Sequence, residues 1–203
     1  MKNTLLILGA LLLFSLPLSA QKNLSFSAEG IVGFGFGKGP VAFETTQFVA
    51  EYHLGEAFVL GAGAGLRCAI PTYTYHVTNG KAKREAPYME FDIPLFLRLG
   101  YYASRWNAVV DGGYAVGLFS VSGLNSGDPA MFSWHPLYKG FFVDPHVAIS
   151  FGKHNVGLGV LFQQTLTRTS TSTSTSTDTT LSTHVEEKTV FTPALTLRYA
   201  FRF

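Results

Sequence analysis

Only one cysteine, Cys68, occurs in the whole chain, so no internal disulfide can hold the fold together. A small apolar side chain on a strand accounts for it. Charge is also scarce. Asp, Glu, Lys and Arg make up 14% of the residues and leave a formal net charge of +2, which gives no electrostatic reason to expect nucleic acid or a strongly acidic partner. After the N-terminal segment, no apolar run reaches the roughly 18 residues that a membrane-crossing helix needs. No pair of His, Asp or Glu shows ligand spacing on one strand, so neither a metal nor another cofactor is expected.

Yet the chain is apolar on balance, with a mean hydropathy of +0.22, 21 glycines and 14% aromatics. Alternation disperses that hydrophobicity. In Tyr88 to Tyr102, Met89, Phe91, Ile93, Leu95, Leu97, Leu99 and Tyr101 take every odd position, while Glu90, Asp92, Arg98 and Gly100 take even ones. A period of two is that of a strand. Soluble strands usually run to about five or six residues and a membrane-crossing strand to about nine to eleven. This stretch is longer than either, so it reads as a transmembrane strand with lipid on its odd side and a polar barrel interior on its even side.

Residues 1–20 read as a secretory signal peptide: Lys2 supplies a positive start, Leu5 to Leu18 an aliphatic core, and Ala20 a small residue before Gln21. Residues 21–203 then form one domain. Alternation recurs over Leu24 to Gly37, a strand ending near Leu54, Ala57 to Ile70, Trp106 to Ser120, about Lys139 to Gly152, Asn155 to about Thr167, and about Lys188 to Phe203. Arg168 to Thr183 is mostly an alternating Ser-Thr tract of low complexity and reads as a loop. The fold class is therefore all-β: an eight-stranded antiparallel up-and-down transmembrane barrel. Connections alternate long and short, the asymmetry of extracellular loops and tight periplasmic turns. Glycines of GFGFGKG at residues 33–39 lack the register of a phosphate loop and read as small residues in a narrow lumen. Outward aromatics should form two girdles, with Tyr52, Phe58, Tyr101, Trp106, Phe151 and Tyr199 at the periplasmic side and Phe36, Phe43, Phe141 and Phe191 at the outer one. Pro94, Pro145 and Pro193 should mark bulges, because proline removes a ladder donor.

The run Met89-Glu90-Phe91-Asp92-Ile93-Pro94-Leu95-Phe96-Leu97-Arg98 resembles the E-I-P-L-L-L-K-Y strand of the small outer-membrane β-barrel proteins of Bacteroidota, the porin-family or PorT-like barrels. Gly112-Gly113-Tyr114, Asp144 and the terminal Tyr199-Ala200-Phe201-Arg202-Phe203 are similar too. The resemblance implies this fold in the cell outer membrane of a Gram-negative bacterium, and hardly implies an activity. It also implies that Phe203 is the C-terminal signal for the barrel-assembly machinery.

Inward charges can be placed by depth. Arg98 and Asp111 lie about four and five residues above one tight turn, at about 3.4 Å per residue, and should meet. Glu29 and Arg198 stand at similar depths on the first and last strands, and Arg67 approaches Glu90 and Asp92 higher up. With Glu51 and Asp144 these residues should form a paired electrostatic core that fills the lumen, because buried charges persist only when paired. His53, His146, Asp144 and Asp111 fit the barrel interior as well as they fit a catalytic set, so no catalysis is expected. Tyr73, Tyr75, His76, Phe132, Trp134, His135 and Tyr138 gather in two extracellular loops, a composition suited to contact with a partner. Asp178-Thr179-Thr180 looks like an O-glycosylation motif at Thr179. The expected partners are outer-membrane lipid and lipopolysaccharide around a monomer. The expected role is envelope structure or surface interaction, with a narrow porin or transport-associated barrel next and a lipid A-modifying enzyme third.

Overall fold

A computed structural model describes residues 23–36, 42–70, 75–78, 81–84, 89–122, 131–133, 140–173 and 182–203. The signal segment, Tyr73, Trp134, Tyr138 and Thr179 lie outside the described residues, as do the side chains of Tyr75, His76 and Phe132. Eight strands form the wall: β1 (Leu24–Gly35), β2 (Ala42–Leu54), β3 (Phe58–Ile70), β4 (Met89–Tyr102), β5 (Trp106–Ser122), β6 (Gly140–Phe151), β7 (His154–Thr173) and β8 (Ser182–Arg202). Each pairs antiparallel with the next, and β8 pairs back onto β1 through Ser27↔Arg202 to Gly35↔Ala194, which closes the barrel. Tight turns after β2, β4 and β6 gather at the end that also holds both strand termini. We call this the turn end and the opposite one the loop end. Gly55 (φ 70°) and Gly152 (φ 63°) supply the left-handed residues of two of these turns.

Alternation sets the two faces. The outer face exposes Leu97 (71%), Phe48 (64%), Phe191 (66%) and many other large apolar side chains. The inner face buries Glu51, Asp92 and Asp111 almost completely. A water-soluble barrel has the opposite arrangement, so this one spans a lipid bilayer. At the turn end the outward rings form a belt: Phe58 and Tyr101 lie 5.3 Å apart and Tyr101 and Trp106 5.7 Å apart between centroids.

Several details depart from the sequence expectations. Phe43 belongs to no girdle. It shares the parity of Gln47 and Glu51 and points inward, 5% exposed, where its ring fills the space opposite Gly33: a Cβ there would lie 2.0 Å from the ring. Proline does not produce the bulges. The register runs unshifted through Val110↔Pro145 and Phe162↔Pro193 and resumes unshifted across Pro94, from Ala64↔Leu95 to Arg67↔Asp92. Pro193 sits where β1 ends, so its missing donor faces a ladder that is already finishing. Among the described residues, a register shift falls on the β4–β5 ladder, between Phe91↔Phe119 and Asp92↔Gly117. It brings the rings of Phe91 and Phe119 into a stack at 4.7 Å. Nor is the Ser-Thr tract all loop. Pairing of β7 with β8 continues to Thr173↔Ser182, because threonine is β-branched and an alternating tract keeps the period of two. The short strand Tyr75–Thr78 adds parallel to this projecting ribbon at Thr171↔Val77, and Lys81–Arg84 pairs with it in turn.

Candidate functional site: the filled lumen

Near the turn end two arginines organise the interior. Arg98 Nε donates to Asp111 Oδ1 at 2.7 Å and Nη2 to Asp111 Oδ2 at 2.9 Å, a bidentate fork across the β4–β5 ladder. From the same guanidinium, Nη2 reaches Glu29 Oε2 at 2.9 Å and Nη1 reaches Glu51 Oε1 at 2.9 Å, both across the lumen. Arg198 Nη1 lies 3.2 Å from Asp111 Oδ2 and 3.4 Å from Glu29 Oε2, and Nη2 donates to Asp144. Glu51–Arg98–(Glu29, Asp111)–Arg198–Asp144 is therefore one chain of alternating charge. Around it, Gln47 donates to Glu29 at 2.7 Å and Tyr102 donates to Glu51 at 2.8 Å. Arg202 stands 3.9 Å from Glu51 at the turn end, its guanidinium 4.2 Å from the Tyr102 ring centroid.

One inward step toward the loop end, the character changes. Glu29 is followed by Ile31, Arg98 by Phe96 and Asp144 by Phe142, while Leu161, Ala115 and Ala194 complete a buried apolar cluster with Phe43. The interior is thus not polar throughout, as the alternation implied; a layer of phenylalanine crosses it. Inward glycines make this possible. A Cβ on Gly63 would lie 2.2 Å from the Phe96 ring, which occupies the room that the glycine leaves. Beyond that layer charge returns: Arg67 Nε donates to Asp92 Oδ2 at 2.9 Å, and Nη1 donates to the buried Gln163 on β7. Glu90 is buried as well, opposite Ala69 on β3.

The structure therefore brings Glu29, Glu51, Arg98, Asp111, Asp144 and Arg198 into one cluster and holds Arg67 and Asp92 in a second. Gln47 points inward with Glu51, as its parity on the second strand predicts. Sequence reasoning missed Tyr102 and Gln163, although Tyr102 shares the parity of Arg98 and Gln163 alternates with the outward residues of β7, which would have turned each inward. The two histidines that a catalytic reading would combine, His53 and His146, have separate partners. His53 bonds Ser25 Oγ at 2.9 Å near the turn end, whereas His146 Nδ1 lies 3.2 Å from the Asp144 carbonyl oxygen. Among the described residues no group of three or more His, Cys, Asp or Glu could hold a metal ion. A cavity of about 20 Å³ below the cluster touches Glu29, Arg98, Tyr102, His146, Asn155 and Arg198.

No family model matches the chain, and no curated protein matches it in sequence. Its resemblance is to solved structures. The crystal structure of Neisserial surface protein A is 9% identical, aligned over 89% of this chain and 97% of that one, with a TM-score of 0.50. The solid-state NMR structure of outer membrane protein AlkL in DMPC lipid bilayers is 13% identical over 89% of this chain and 88% of that one, with a TM-score of 0.42. The fold is that of a small outer-membrane β-barrel.

Proposed function

We propose that the chain is an integral outer-membrane barrel that neither conducts nor catalyses, and that it serves envelope structure or surface interaction through its loop end. The observation that carries this reading is the occluded lumen: a six-residue ion-pair chain, a phenylalanine layer and a second ion pair follow one another along the axis. An eight-stranded interior is only just wide enough for side chains, and here large ones fill it. The β7–β8 ribbon, with Tyr75–Thr78 added at its edge, supports a surface role, because it carries backbone well past the end of β1. Membership of the small Bacteroidota barrels is supported by the Met89 to Arg98 run.

Single-channel recording of the refolded protein in planar bilayers tests the reading. We expect no steps above baseline; a large ohmic conductance would favour a narrow porin. Mass spectrometry of lipid A from cells with and without the gene tests the enzymatic alternative, and a changed acylation pattern would favour it.

A further inference from the structure

The two layers of the lumen differ in more than charge. The cavity of about 20 Å³ on the turn-end side of the ion-pair chain has room for one or two water molecules, since one needs roughly 10–15 Å³. Two buried atoms of its lining, Asn155 Oδ1 and Arg198 Nε, have no protein partner. One accepts and the other donates, which is the pair of contacts a bridging water supplies. Asn107 and Tyr102, which also line the cavity, lie at the turn-end limits of β5 and β4. On the loop-end side stand Phe43, Phe96, Phe142, Leu161, Ala115 and Ala194 in mutual contact, a packed surface that offers water no partner. Apolar constrictions exclude water even without a covalent or ionic closure.

We propose that the lumen is a blind water site: water enters from the turn end, bridges Asn155 and Arg198 beneath the ion-pair chain, and stops at the phenylalanine layer. The ion pairs are then the wetted floor of the barrier, and the rings are the barrier itself. This deepens the occluded-lumen reading and assigns the closure to particular residues.

Alanine methyls sample both layers without mutation. Ala148 and Ala200 line the cavity; Ala115 and Ala194 sit in the apolar cluster. In alanine-methyl-labelled protein in lipid nanodiscs, magnetisation transfer from water should reach the first two methyls and not the last two. Wet Ala115 and Ala194, or dry Ala148 and Ala200, would overturn the proposal. Replacing Phe96 and Phe142 together by alanine should extend water contact to Ala115 and Ala194. Continued dryness there in a variant that keeps the barrel's methyl spectrum would assign the closure elsewhere. Should the double variant not fold, the wild-type pattern still decides. A conducting wild type would sink the occluded-lumen reading, whereas dry Ala148 and Ala200 in a non-conducting barrel would sink only the water site.

Discussion

Two ion-pair groups lie on either side of the phenylalanine layer, and they are built differently. The turn-end group takes Glu29 from β1, Glu51 from β2, Arg98 from β4, Asp111 from β5, Asp144 from β6 and Arg198 from β8, so its contacts tie six strands together. The loop-end group ties Arg67 of β3 to its ladder partner Asp92 and, across the lumen, to Gln163. Each guanidinium in the first group serves three carboxylates, whereas Arg67 has one carboxylate among its described partners. A buried charge is costly chiefly when its partner is removed. The number of carboxylates served per arginine should therefore rank the two groups.

The largest effect is expected at Arg98. Arg98→Leu takes the shared guanidinium from Glu29, Glu51 and Asp111 at once. It leaves Glu51 the Tyr102 hydroxyl and the more distant Arg202, and leaves Glu29 and Asp111 the longer contacts to Arg198. The change should destabilise the barrel by about 3–5 kcal/mol, the cost of breaking a buried pair. Urea unfolding in detergent micelles, followed by tryptophan fluorescence and by the gel shift between folded and unfolded barrel, measures it. Arg67→Leu takes the guanidinium from Asp92, the carboxylate among its described partners, and should fall at the lower end of the same range, about 3 kcal/mol or less. Equal losses would erase the distinction between the groups. Coupling sharpens it further: Arg98→Leu combined with Asp111→Asn should be milder than the sum of the two, because both changes remove the same fork.

How far the sequence reveals these groups depends on whether two residues are neighbours along the wall or across it. Arg98–Asp111 and Arg67–Asp92 were legible, because parity fixes the face and distance from a shared turn fixes the depth. Arg98–Glu29 and Arg67–Gln163 were not. They depend on barrel diameter and on the tilt of the strands, which bring distant strands to a common height. From sequence Glu29 therefore pairs with Arg198, its neighbour on the closing strand; that contact exists at 3.4 Å, but Arg98 is the nearer partner. The strand count and the closed topology followed from alternation alone. The phenylalanine layer did not, because Phe43, Phe96 and Phe142 share the parity of charged residues and their acceptance inside depends on glycines of other strands. The length of the β7–β8 ribbon was lost to composition, since a Ser-Thr repeat reads equally as a disordered loop or as an alternating strand.

The layer between the two groups makes a different prediction. Gly63→Ala adds a methyl where the Phe96 ring already lies, 2.2 Å from the Cβ position. The ring would have to leave its place between β3 and β5, and an overpacked core typically loses about 1–3 kcal/mol. The same unfolding measurement applies. An unchanged midpoint would mean that the ring can move freely and that the layer is looser than its packing implies.

The smallest effect separates the ion-pair chain from the groups that merely surround it. Tyr102 contributes a hydroxyl donor to Glu51 and an aromatic face beneath Arg202. Tyr102→Phe keeps the face and deletes the donor, while Glu51 Oε1 still accepts from Arg98 Nη1. Because the carboxylate oxygen keeps a charged partner, the loss should stay near that of a single hydrogen bond, about 1 kcal/mol. Tyr102→Leu removes the ring as well and should cost more by the worth of the cation–aromatic contact, roughly 0.5–1 kcal/mol at a partly exposed site. If Tyr102→Phe instead cost as much as Arg98→Leu, the hydroxyl would belong to the chain itself, and counting carboxylates served per arginine would no longer rank the two halves of the lumen.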